Sequence, residues 1–131
     1  MGGSLKTKEN KSPTFLVWAM ADAQGTNLQR VQIIKGWLDN GESKEKVFDA
    51  TCSDGLEVDK SSHRCPDNGA KVNLNDCSIT KNKGSRELKT LWKDPEFIED
   101  QEAFYYVRVL ENPVCRWSTW DAIRSLSLIH I

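Results

Sequence analysis

Histidine is nearly missing from this 131-residue chain, which holds only His63 and His130. A nucleophile needs a base within reach and a third group to orient that base. So scarce a supply of imidazole leaves no complete catalytic constellation in the sequence. One-sided charge is lacking too. Eighteen basic residues against 19 acidic ones give a net charge of -1, which offers no electrostatic case for nucleic acid or an anionic membrane. No apolar run approaches the roughly 20 residues of a membrane-spanning helix. The opening MGGSLKTKENKSP has lysines but no apolar h-region, so it is not a signal peptide. An export address would lie outside this chain. There is no internal repeat and no low-complexity tract.

What is present fits one domain of ordinary size. Hydrophobic residues make up 38% of the chain, with five Trp, enough for a thin core. The densest stretch is Phe104–Asp121, FYYVRVLENPVCRWSTWD, around which the other segments are expected to pack. Four cysteines stand at Cys52, Cys65, Cys77 and Cys115. An even count in a small, loop-rich chain points to disulfides and an oxidising compartment. Of three pairings, the preferred one joins Cys52 to Cys65 across a local loop and Cys77 to Cys115. Free buried thiols are the ordinary alternative.

Residues 1–12 read as a flexible lead. Thr14–Met20, TFLVWAM, is a short apolar run expected to form a strand buried on both faces. In Leu28–Leu38, Val31, Ile33, Lys35 and Trp37 share one face, and Gln32, Ile34, Gly36 and Leu38 the other. Asn40-Gly41 is the strongest short hairpin signal available, with Lys44–Thr51 as the returning arm. Residues 53–86 are rich in Asp, Asn and Gly. They form a long insertion held by the cysteines, in which 71–74 and 77–80 pair as short edge strands. Leu56, Val58, Val72, Leu74 and Ile79 are its candidates for burial. Glu87–Lys93 is a further strand. Pro95 opens a turn or a helical turn over 95–103, from which Phe97 plugs the core. In Phe104–Leu110, Phe104, Tyr106, Arg108 and Leu110 share one face. Ser118 and Thr119 could cap a short helix through Arg124. The expected fold is all-β: a mainly antiparallel sheet, sandwich-like or curled, with a long disulfide-stapled loop and one or two short helices.

LQRVQIIKGW, KEKVFDATCSDG, ELKTLWKDPEF and AFYYVRVLENPVCRWSTWDA together resemble the C-terminal portion of the domain-of-unknown-function family 3604. The last motif is the most specific, and the likeness spans roughly residues 13–124. The resemblance implies a long bacterial, exported parent whose upstream part looks like a metal-dependent phosphoesterase of the polymerase-and-histidinol-phosphatase type. This chain would then be a single β-rich domain, 13–124, with its partner the missing N-terminal catalytic region. Any divalent metal would belong to that parent. No metal ligand carries over to a residue here, and no cofactor is expected in this chain. Residues 125–131 look like a non-native tail.

Cys52, His63, Cys65 and Cys77 could be imagined around zinc, but their spacing matches no ordinary knuckle. The Asp/Asn cluster over 67–76 could offer oxygen ligands to calcium, yet turn chemistry explains the same residues. Cys115 beside Arg116 could be an activated thiolate, although a disulfide is simpler. Arg116 and Asp121 read as a structural ion pair or, with Arg108, Trp117 and Trp120, as residues facing the missing region. The two Trp rings belong either to the core or to a sugar-stacking platform on a stand-alone secreted module. A domain severed from its partner should expose a sizeable apolar patch.

Overall fold

The computed structural model describes residues 2–7 and 11–129; Met1, residues 8–10, His130 and Ile131 lie outside them. The expectations for the lead and the tail, His130 included, fall partly outside that range. The elements are β1 (Thr14–Met20), β2 (Leu28–Asp39), β3 (Glu42–Cys52), β4 (Glu87–Lys93), β5 (Ala103–Glu111) and α1 (Trp117–Ile129). Two antiparallel sheets result, one in the order β3-β2-β5 and the other β1-β4.

β2 and β3 form because β-branched and aromatic side chains suit a pleated, half-buried surface. The turn between them is two residues long. Asn40 and Gly41 have φ of 51° and 82°, the left-handed pair that a tight hairpin needs. Asp39 consequently pairs with Glu42, and the register continues to Arg30 opposite Cys52, broken by a bulge between Val31 and Gln32.

The core lies between the sheets. Val31, Ile33 and Phe48 from the first meet Val17, Leu88 and Trp92 from the second. Phe48 and Trp92 rings sit 5.5 Å apart and tilted. Full burial of a side chain such as Phe48 or Ile33 is worth about 2 kcal/mol. β2 is flanked on both edges and supplies the most deeply buried residues, so it, rather than Phe104–Asp121, is the organising strand. Phe104, Tyr106, Val107 and Val109 are instead 40–58% exposed, because β5 is an outer strand.

Both cysteine pairs match the preferred pairing: Cys52–Cys65 and Cys77–Cys115. The insertion over 53–86 lies along the sheet through Asp49 N–H donating to the His63 carbonyl (2.8 Å) and through Ser85 paired with Leu28. Its expected edge strands shrink to one bridge, Val72–Ile79. Ser53, Cys65, Asn68, Ala70 and Cys77 are the buried residues there, whereas Leu74 is 65% exposed. Polar bonding and covalent links fix this segment, so its apolar residues are poor guides to its inside.

Other expectations change as well. β1 buries only one face: Leu16, Trp18 and Met20 are 60–71% exposed, since a two-stranded sheet has a single layer against it. Over 95–103 the turn alternative holds, with two turns and no helical turn, but Phe97 stops half-buried instead of plugging the core. Helix α1 begins at Trp117 and runs past Arg124 to Ile129. The Arg116 carbonyl, not Ser118 or Thr119, receives its first bonds, from Thr119 and Trp120 N–H.

Candidate functional site

Arg108 projects from β5 directly opposite Gln32. Its Nε and Nη2 donate to the Gln32 Oε1 at 2.9 and 2.7 Å. Gln32 passes the connection on, its Nε2 donating to Asp49 Oδ1 at 2.8 Å. The other oxygen of Asp49 accepts from Arg30 Nη1 (3.1 Å) and from the Cys65 N–H (2.6 Å). Arg64 Nη1 lies 3.8 Å from Asp49 Oδ1. Gln32 and Asp49 are buried, and a buried carboxylate is tolerable only with such partners. Arg108 therefore serves a network that welds β5, β2, β3 and the Cys52–Cys65 loop together.

A second buried charge lies on the other face of β2. Lys35 Nζ meets Asp94 Oδ2 at 2.6 Å, with side chains only 3% and 0% exposed. The ammonium also donates to the Glu96 carbonyl, and the Tyr105 hydroxyl donates to Asp94 Oδ2 at 2.6 Å. Burial pushes the Tyr105 hydroxyl well above its ordinary pKa, and the bond to Asp94 and that residue's negative charge push it further. Asp94 Oδ1 accepts the Glu96 N–H. The group fastens the β4–β5 connection to the sheet.

Asn112, just past β5, is the hub that holds the insertion. Its Nδ2 donates to the Lys83 carbonyl and its Oδ1 accepts from Asn68 Nδ2, both at 2.9 Å. Gly84 has φ +87°, and a Cβ there would lie 2.7 Å from Asn27 Cβ and 2.8 Å from the Leu28 carbonyl. Its N–H donates to both oxygens of Asp54. Slight burial raises the Asp54 pKa, but the bonds from Gly84, Ser53 and Asn68 and the charge of Lys83 outweigh it and leave it lowered. The Ser61 hydroxyl and the amides of Ser62 and Ser61 hold Asp59 far below the carboxylate range.

The residues read as facing a missing region divide. Trp117 and Trp120 are 77% and 41% exposed on α1, so the core alternative for these rings does not hold. Arg124 lies 5.8 Å over the Trp120 ring. Asp121 Oδ1 is 4.0 Å from Arg124 Nη1, which replaces the ion pair expected with Arg116. Arg116 is exposed at the helix start.

The cysteines imagined around zinc are consumed by the disulfides, and His63 packs its ring 5.1 Å from Phe48. Among the described residues, no group of three or more His, Cys, Asp or Glu could hold a metal. The calcium-like cluster is turn chemistry: Asp67, Asn73 and Asp76 each accept the N–H two residues on. Sequence reasoning missed Lys35–Asp94, Gln32–Asp49 and Asn68–Asn112. Only Lys35 left a signal, as a lone cation in the apolar face of LQRVQIIKGWL.

These polar clusters bond mainly within the chain. The surface also offers an apolar strip edged by charge, for Trp18 stands opposite Lys89, whose Nζ lies 5.5 Å over the indole, and Met20 stands opposite Glu87. On the outer side of β1 and β4, Leu16 stands opposite Leu91, and with Trp18 and Met20 they are 60–71% exposed.

A family model described as Protein of unknown function (DUF3604) matches residues 1–128. The chain belongs to the DUF3604 family. No curated protein and no solved structure matches it. Among the described residues of this DUF3604 chain, no helix is long and apolar enough to cross a membrane.

Proposed function

We propose that this DUF3604 chain is a non-catalytic β domain that packs against the catalytic region of a larger, exported protein of its family. That region would be a metal-dependent hydrolase of the phosphoesterase type. The observation that carries this reading is the apolar strip on the outer face of β1–β4, edged by Lys89 and Glu87. Single exposed Leu residues are ordinary, but Leu16, Trp18, Met20 and Leu91 sit together on one sheet face, the mark of an interaction surface. The two disulfides support an oxidising compartment.

The test combines this chain with a separately produced upstream region from a long family protein. The chain binds that region, and Trp18→Asp or Leu91→Asp weakens binding at least about tenfold, the change that 1.4 kcal/mol brings. Binding that survives both substitutions, or hydrolysis of aryl phosphates by the chain alone with Mn²⁺ or Zn²⁺, would overturn the reading.

A second reading is favoured by the exposure of Trp117 and Trp120. Three residues apart on α1, they share one side of the helix and present aromatic surface suited to stacking on a sugar. Titration of Trp fluorescence with a glycan panel tests it, and flat titrations throughout remove it.

A further inference from the structure

Among the described residues, β5 is an edge strand with few of the usual protections. Natural edges are blunted by prolines, bulges, short length or outward charge. β5 is nine residues long and contains no proline. The irregularity in its pairing lies on the β2 side, between Leu28 and Arg30. Its one internal charge, Arg108, is drawn down onto Gln32. Phe104 and Tyr106 on one face, and Val107 and Val109 on the other, remain 40–58% exposed.

The backbone of this edge can be oriented. Just before the strand, the Glu102 carbonyl accepts from Leu38 N–H, and just after it Asn112 N–H donates to the Asn27 carbonyl. Even-numbered residues therefore turn their backbone groups toward β2, and alternation turns those of Tyr105, Val107 and Val109 outward. The lead over 2–7 shares a groove with Ala103–Tyr105, but among the described residues it makes no backbone hydrogen bond to β5.

We propose that β5 pairs antiparallel with β5 of a second copy of this chain, about a two-fold axis at Val107. Parity and side-chain pairing favour this occupant. Val107 is the midpoint of Ala103–Glu111, so this register alone pairs the strand over its full length. It sets outward-pointing residues opposite one another, as an antiparallel ladder requires. It also places Tyr106 opposite Arg108 of the other copy, Phe104 opposite Leu110, and Tyr105 opposite Val109. Phe104–Leu110 and Tyr105–Val109 are apolar cross-strand pairs, a combination that stabilises a sheet, and Tyr106 lies over the alkyl stem of that Arg108. Centring on Arg108 would set two guanidinium groups face to face. The result is one continuous six-stranded sheet, two copies of β3-β2-β5.

Sedimentation velocity from micromolar to millimolar protein tests this. The wild-type chain dimerises. Val107→Lys and Val107→Asp each set like charges across the axis and weaken self-association about tenfold or more, the equivalent of 1.4 kcal/mol. An equimolar mixture of the two restores a dimer, because Lys then faces Asp. Circular dichroism checks that each variant is folded, which the exposure of Val107 favours. Leu91→Lys, on the outer face of β1–β4, leaves the dimer intact and separates this edge from that face. A monomeric wild type at millimolar concentration, a mixture that stays monomeric, or a dimer lost in Leu91→Lys but kept in Val107→Lys would overturn the pairing.

Discussion

β2 and the insertion over 53–86 touch at Leu28 and Ser85, yet they are ordered in different ways. β2 sinks Val31, Ile33 and Ile34 to 0–1% exposure between two neighbouring strands. Its stability is chiefly that of apolar area removed from water. The insertion buries little more than two half-cystines, an alanine and polar groups such as Ser53 and Asn68. Its shape comes from crosslinks, from Asx turns and from amides shared among Asn68, Asn112 and Lys83. Burial is non-directional and forgives small shifts. A hydrogen-bonded loop depends on each partner, because a buried polar group left alone costs about 1–3 kcal/mol.

The largest effect should come from the covalent side of this contrast. Replacing both Cys77 and Cys115 by Ser removes a crosslink that spans 38 residues, worth about 4 kcal/mol on the chain-entropy model. Amide exchange should quicken most in the insertion, with a smaller loss of protection at Ile33 and Phe48. Equal loss of protection in β2 would erase the distinction drawn here.

The buried charge within the core comes next. Lys35→Ala strands Asp94 and should cost about 3 kcal/mol, seen as a single earlier denaturant transition with both regions opening together. Gly84→Ala is smaller, at about 2 kcal/mol. It combines a positive φ with contacts to backbone that cannot swing away, and it should loosen the insertion with little change in β2. By contrast, Gly36→Ala meets only the far end of the half-exposed Phe104 ring, which can rotate aside.

The smallest effect concerns pH. The Tyr105 pKa is raised on folding, so its stabilisation is complete below the unfolded value of 10.0. It is lost as pH climbs past that value toward the folded one. Tyr105→Phe should cost about 1 kcal/mol at neutral pH, discounted for a half-exposed ring. It should also flatten the alkaline slope of stability measured by urea unfolding. An unchanged slope would mean that the Tyr105–Asp94 bond contributes nothing.

The same contrast explains what could be read from the letters. The β2–β3 hairpin was legible because Asn40-Gly41 demands one turn type and the flanking residues alternate. Both disulfides followed from loop closure around a strand-rich frame. The faces of β5 followed from simple alternation. Lys35 was not legible as a buried ion, since its partner Asp94 comes from a distant turn and nothing near Lys35 announces it. Trp117 and Trp120 misled for another reason. An aromatic cluster reads the same whether it fills a core or stands on a surface, and only the neighbours brought by the fold decide. Thr14–Met20 reads as a doubly covered strand because TFLVWAM is apolar on both faces. Its outer face being bare is a fact about the number of layers, which local sequence does not carry.

The Cys77–Cys115 bridge also has a topological meaning. It closes a ring of chain that contains β4, the exposed turn at Glu99 and Asp100, and β5. A protease that clips that turn does not release a fragment. The two pieces travel as one species on a non-reducing gel and separate only once a reductant is added, so the domain tolerates a break in that exposed turn without coming apart.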